Sequence, residues 1–149
     1  MEPVTMLLAM SYRAIGDQFH DRLKQIGLEP LRPAHGYVFR FLKDNRVTTV
    51  ELGQHLGVTK QAAAKIVNEL DEWGYVIREP HPTDKRAQYV TLTTKGRDYL
   101  KLADTLWSDL EQEMGEAIGP DTLATIKTGL TAYLQHVHGD DQPGLRPVW

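Results

Sequence analysis

Thr59, Lys60, Gln61, Ala64 and Lys65 bring together side chains suited to a DNA major groove. Gln offers the paired donor and acceptor that match adenine, Lys donates to guanine, and an Ala methyl can touch a thymine methyl. Thr59 is also of the type that caps a helix start, where free amides and the positive end of the dipole favour a phosphate. Further on, Lys85 and Arg86 follow the turn-forming run Pro80-His81-Pro82-Thr83-Asp84. Arg86 suits a narrow minor groove, and Asp84 would hold the turn by accepting from nearby amides or from Arg86. Other chemistry finds less support. There is no glycine-rich phosphate loop, Ser11 and Ser108 lack a nucleophile signature, and no His or acidic residues form a ligand-spaced cluster. Catalysis, a cofactor and a metal are therefore not expected. His136 and His138, two apart, would point away from each other on a helix.

These side chains need rigid elements to hold them. Thr48-Thr49-Val50-Glu51 has the form of a capping box, the Thr48 hydroxyl accepting the Glu51 amide and Glu51 reaching back to the Thr48 amide. A helix is predicted from there, with Val50, Leu52 and Leu56 as its apolar residues and Gly57-Val58 as its stop. Thr59 then opens a longer helix whose Ala63, Ile66, Val67 and Leu70 fall on one buried face, which leaves Lys60, Gln61, Ala64 and Lys65 facing outward. Gly53, inside the first helix, costs about 0.5–1 kcal/mol relative to Ala. Close approach of a packed helix would compensate. Trp73-Gly74-Tyr75 ends the second helix, and Val76 to Glu79 and Ala87 to Leu92 are β-prone runs that read as a wing. Between Arg78 and Arg97 the bases Arg78, Lys85, Arg86, Lys95 and Arg97 outnumber the acids Glu79 and Asp84 by three, in a chain of net charge −3. The two helices alone fit an ordinary hairpin with solvated lysines equally well; the basic wing favours nucleic acid.

With these residues in place, the chain resembles the MarR (multiple antibiotic resistance regulator) family of bacterial winged-helix transcription factors. The resemblance is carried by the Leu52…Leu56-Gly57-Val58 turn, by Leu70-Asp71-Glu72-Trp73-Gly74-Tyr75-Val76, by Asp84-Lys85-Arg86 and by Leu92-Thr93-Thr94-Lys95-Gly96. It implies a mainly α fold with a small β-hairpin wing: a winged helix-turn-helix flanked by N- and C-terminal dimerisation helices. It also implies a regulator, more commonly a repressor, that binds double-stranded DNA as a homodimer. A dimer sets two recognition helices about one DNA turn, roughly 34 Å, apart, so its operator would be pseudo-palindromic. Affinity in the family is often changed by a small aromatic or anionic effector held between the dimer region and the winged domain. Tyr12, Arg13, Phe19, His20, His35 and Tyr37 are the residues here that could line such a crevice, although aromatics at helical spacing more often simply pack. Relatives usually carry a Ser or Thr cap where this chain has Arg32, so the helix beginning there should be less well capped, by about 1 kcal/mol. Some relatives sense peroxide through a reactive thiol; these 149 residues hold no cysteine, which excludes that mode along with disulfides and thiolate metal sites. The alternative function is a winged helix used for protein contacts. An apolar outward face would favour it, whereas Lys60, Lys65, Lys85 and Arg86 favour DNA.

Length and an apolar content of 41% allow a real core. No apolar run approaches 18 residues, and the start Met1-Glu2-Pro3-Val4 lacks the basic region of a signal peptide, so no membrane partner is expected and a cytoplasmic location is the default. Residues 1–103 carry fifteen bases and twelve acids, and residues 104–149 two bases and eight acids, which turns the first part toward phosphates. Val4, Leu8, Tyr12, Ile15, Phe19, Leu23 and Ile26 recur at helical spacing. That helix would be about 35 Å long, too long for the winged domain alone to cover. Pro33 opens a second helix with Ala34, Tyr37, Val38, Phe41 and Leu42. Thr93 or Thr94 caps a long one carrying Tyr99, Leu102, Ala103, Leu106, Trp107, Leu110 and Met114. After Gly119-Pro120, residues Leu123, Ile126, Leu130, Leu134 and Val137 make a narrow seam suited to helix association. The organisation expected is an N-terminal dimerisation helix (1–30), a winged helix-turn-helix (31–95), C-terminal dimerisation helices (96–138) and a flexible tail (139–149), with a possible anchor at Val148-Trp149.

Overall fold

The computed structural model describes residues 1–141, so the expected anchor at Val148-Trp149 lies outside the described residues. The elements run α1 (Val4–Gln25), α2 (Pro33–Leu42), β1 (Val47–Thr48), α3 (Thr49–Leu56), α4 (Lys60–Glu72), β2 (Val76–Pro80), β3 (Gln88–Leu92), α5 (Thr94–Ile118) and α6 (Pro120–His138). This is a mainly helical winged helix-turn-helix with one small antiparallel sheet.

Local chemistry explains the α3–α4 unit. The Thr48 hydroxyl accepts the Glu51 amide at 3.2 Å, and Glu51 Oε2 accepts the Thr48 amide at 2.9 Å. Gly57, at φ +67°, supplies the left-handed residue that ends α3, and Thr59 starts α4 by accepting the Ala62 amide at 3.1 Å. A Cβ on Gly53 would lie 3.3 Å from the Val58 carbonyl oxygen and 3.5 Å from the Ala63 Cβ, so this glycine permits the close approach of α4. Val50 departs from the sequence reading and is 46% exposed. Two residues from Leu52 on a helix, it is turned about 200° away from the core-facing side.

The wing is wider than a hairpin. β2 pairs with β3 from Val76↔Leu92 to Pro80↔Gln88, and the two-residue β1 adds Val47↔Val90 and Thr48↔Tyr89 on the other edge of β3. β1 is too short for alternation to reveal it in the sequence. Beneath the sheet, Val38, Phe39, Leu52, Val67, Leu70 and Val90 are wholly buried, and the Tyr75 and Tyr99 rings pack on Phe39. At the junction of wing and α5, the Thr93 hydroxyl accepts the Gly96 amide at 3.1 Å and donates to the Gly74 carbonyl at 2.6 Å. The Thr93 amide donates to the Tyr75 carbonyl at 3.0 Å.

The long helices are only partly covered. On α1, Phe19 and Leu23 are buried, with Phe19 stacked on Trp107 at 4.1 Å, whereas Val4, Leu8 and Tyr12 are exposed. α6 has no buried residue at all, and Ile126, Leu130, Tyr133, Leu134 and Val137 are open along it. Among the described residues no helix is long and apolar enough to cross a membrane.

Candidate nucleic-acid interface

The buried stripe Ala63, Ile66, Val67 and Leu70 fixes the rotation of α4 and leaves Lys60, Gln61 and Lys65 exposed, with Ala64 half-buried beside them. Thr59 is exposed at the helix start, its hydroxyl oxygen occupied by the Ala62 amide. These five residues thus share one end of α4. Neither Lys60 nor Lys65 takes part in an ion pair among the described residues.

The wing tip is built by side chain to backbone bonds. His81 Nδ1 accepts the Thr83 amide at 3.2 Å and the Asp84 amide at 3.0 Å, and Asp84 Oδ1 accepts the Arg86 amide at 3.0 Å. Asp84 therefore holds the turn rather than projecting from it, and Lys85 and Arg86 are presented exposed and without an ion pair among the described residues. The part played by His81 is not visible in a sequence. Its only local signal is the turn composition around it.

Two bases counted in the wing's positive excess are already committed. Lys95 Nζ donates to Glu29 Oε1 and to the Trp73 carbonyl, both at 2.6 Å, and lies 4.4 Å from the centre of the Tyr75 ring. Arg78 donates to Asn68 and lies 3.8 Å from Asp71, both on α4, so it braces the wing against that helix. Arg46, which the sequence did not single out, packs 4.2 Å over the Tyr89 ring and 3.8 Å from Glu79, beside the wing. The free positive charge is narrower than the sequence suggests: Lys60 and Lys65 on α4, Lys85 and Arg86 on the tip, and Arg97 at the start of α5.

A second feature lies behind this face. A cavity of about 720 Å³ opens between α1, α2 and α5, and Tyr12, Arg13, Phe19, His20 and Tyr37 line it. Arg32, Arg40, Tyr99 and Trp107 line it too, and the sequence does not show it because α2 and α5, which carry them, are far apart along the chain. The hydroxyls of Tyr12 and Tyr37 are bonded across its mouth, and burial, followed by that bond, pushes the Tyr37 phenol well above its usual range. His35 does not line the cavity. It is fully buried, its Nδ1 accepting the Arg32 amide at 2.8 Å and its Nε2 bonded to Glu69 Oε2 on α4 at 2.7 Å, with Trp73 edge-on. That ring corrects the expectation of a poorly capped α2: Arg32 offers no capping side chain, but His35 three residues on satisfies its amide. Burial pulls His35 below its ordinary pKa, Glu69 opposing and Arg32 reinforcing the shift. Among the described residues no group of three His, Asp or Glu side chains is placed to hold a metal.

Comparison with known proteins supports the resemblance read from the sequence. Residues 27–87 match the model of the MarR family. The multiple antibiotic resistance protein MarR of Escherichia coli (strain K12) is 35% identical over 82 residues, covering 54% of this chain and 57% of that protein. The chain thus matches somewhat over half the length of this curated relative. In three dimensions the reduced form of MarR from E. coli superposes with a TM-score of 0.79 at 27% identity, covering 90% of this chain and 98% of that one. A mutant MarR from E. coli complexed with operator DNA gives 0.72 at 28% identity, covering 89% and 94%. The HTH-type transcriptional regulator TcaR of Staphylococcus aureus (strain Newman) is 27% identical over 92 residues, covering 60% of this chain and 61% of that protein.

Proposed function

We infer, from a MarR-family winged helix carried in a MarR-like fold, that this chain is a DNA-binding transcriptional regulator that acts as a homodimer on a pseudo-palindromic operator, most simply as a repressor. The observation that carries the reading is the pairing of two rigidly mounted cationic groups, Lys60 and Lys65 on the outward end of α4 and Lys85 and Arg86 on the braced wing tip, none of them neutralised within the described residues. Thr59 and the first amides of α4 meet a phosphate, Gln61, Ala64 and the two lysines face base edges or backbone, and Arg86 enters the minor groove. Residues 31–95 form the DNA-binding part. The open seams of α1 and α6, within 1–30 and 96–138, support a second copy as their partner. A small aromatic anion in the cavity behind α2 is the effector that releases the DNA.

The test is a binding titration at fixed salt on the best fragment selected from genomic DNA. Arg86→Ala should weaken binding to every sequence and flatten the salt dependence by about one phosphate contact. Gln61→Ala should instead relax preference at one base pair by about 1–3 kcal/mol. Wild-type affinity and preference in both variants would show that this face does not read DNA.

A further inference from the structure

Arg32 belongs to two places at once. It lines the cavity between α1, α2 and α5, and its Nη2 donates to both carboxylate oxygens of Glu69 on α4, at 2.9 and 3.2 Å. The same Glu69 accepts from buried His35, whose Nδ1 accepts the Arg32 amide; with that nitrogen an acceptor, Nε2 carries the proton and donates to the carboxylate. One carboxylate therefore ties the start of α2, at the cavity wall, to the last turn of the helix assigned to the major groove. The Arg32 side chain is 54% exposed, and only its Nη2 is spent on Glu69. It can turn toward the cavity without unfolding anything.

The cavity's chemistry selects what would turn it. Tyr12, Phe19, Tyr37 and Trp107 give flat apolar walls. Arg13, also at the wall, has no ion-pair partner among the described residues, whereas Arg40 stands 3.8 Å from Asp104. An aromatic ring seated among those walls with a carboxylate between Arg13 and Arg32 satisfies both features. We propose that Arg32 is the coupling residue of this protein: an aromatic carboxylate in the cavity and Glu69 compete for one guanidinium, and when the ligand wins, Glu69 keeps only its hydrogen bond to His35 among the described residues. The consequence for DNA rests on the function proposed above. So does the class of ligand, whereas the Arg32–Glu69–His35 network stands on its own.

Coupling is reciprocal, so whatever frees Arg32 from Glu69 must tighten the ligand by the same factor. Because the pair is partly exposed, that factor is modest, about three- to five-fold. The experiment titrates benzoate, with benzamide as the uncharged control, into the purified full chain and follows tryptophan fluorescence. Wild type should bind benzoate and not benzamide, Glu69→Gln should bind benzoate three- to five-fold more tightly, and Arg32→Met should bind it more weakly than either. If Glu69→Gln does not fold, Glu69→Asp, whose shorter carboxylate withdraws from Arg32, should tighten benzoate in the same direction. Equal benzoate affinity in wild type and the Glu69 variant, or no binding by wild type, overturns the proposal. On DNA, benzoate should lower the affinity of wild type and leave that of Glu69→Gln unchanged relative to its own benzoate-free value; equal sensitivity in the two overturns it. A chain that binds no DNA but shows the benzoate pattern upholds the coupling and removes the regulatory function instead.

Discussion

Gly96 is where the winged domain joins α5 with least clearance. A Cβ built there would stand 2.2 Å from the Tyr75 carbonyl oxygen and 3.2 Å from Leu92 Cδ2, against an ordinary contact beginning near 3.4 Å. Gly96→Ala must therefore push α5 off the start of β2 by about 1 Å. Three interactions share that junction: the Tyr75 carbonyl accepts the Thr93 amide, the Thr93 hydroxyl caps α5 through the Gly96 amide, and the same hydroxyl donates to Gly74. Overpacking costs about 1–3 kcal/mol, and a lost cap and a lost hydrogen bond about 1 kcal/mol each. The helix propensity of Ala returns about 0.5–1 kcal/mol. The net loss is about 2–4.5 kcal/mol, which in a chain of this size lowers Tm by about 5–15 °C. Gly36→Ala is the matched control: its Cβ would meet nothing within 4 Å, so the same change in α2 should raise Tm by a degree or more. Both are read by thermal melts at one protein concentration, since a dimer's Tm depends on it. A Gly96→Ala melt within 2 °C of wild type would refute the close approach on which the argument rests.

Stability should also depend on pH through His35. Burial keeps it neutral in the fold while the unfolded chain takes up a proton near pH 6.5, so the unfolded state binds more protons below that value and stability falls as pH drops from about 7 toward 5. Glu69, held below the usual carboxylate range by His35 and Arg32 despite the opposing effect of burial, adds a loss in the same direction at lower pH. Urea denaturation at pH 7.5 and 5.5 should show a smaller drop for His35→Gln, which can still accept the Arg32 amide; an identical drop would place the titration elsewhere. If the proposed dimer pairs through α6, Leu134→Asp should give a monomer in sedimentation while leaving helix content unchanged, because α6 buries no residue within its own chain. A variant that stays dimeric would exclude this part of α6 from the seam.

What the sequence disclosed follows the range of the interaction. The Thr48–Glu51 box, the Gly57 stop and the Thr59 cap are contacts within three residues, and each stands in the structure where residue type placed it. The seams of α1 and α6 were legible for a related reason, since periodicity is a property of one helix and does not need to know its partner. Lys95 and His35 were misread because their partners lie far away along the chain. Nothing near Lys95 announces Glu29, and nothing near His35 announces Glu69, so one was counted as free positive charge and the other as a cavity wall. Arg32 was noticed only as a missing cap, although its side chain links two elements. Residue spacing shows which helix presents a charge but not whether the fold has already neutralised it.

Both ladders of the sheet meet on β3, with β1 at Val90 and β2 running to Leu92, and α5 begins two residues later. The chain therefore tolerates changes of length very unevenly. One residue inserted between Gln88 and Thr94 would turn β3 side chains to the opposite face or rotate α5 by about 100°, tearing the capped junction and the core together. An insertion between His81 and Ala87 leaves every strand pair in register; it changes the turn that His81 and Asp84 hold, and with it how far Arg86 extends from the body. The reach of the wing can thus drift between descendants of this sequence, or be reset by design, while the helices behind it stay as they are.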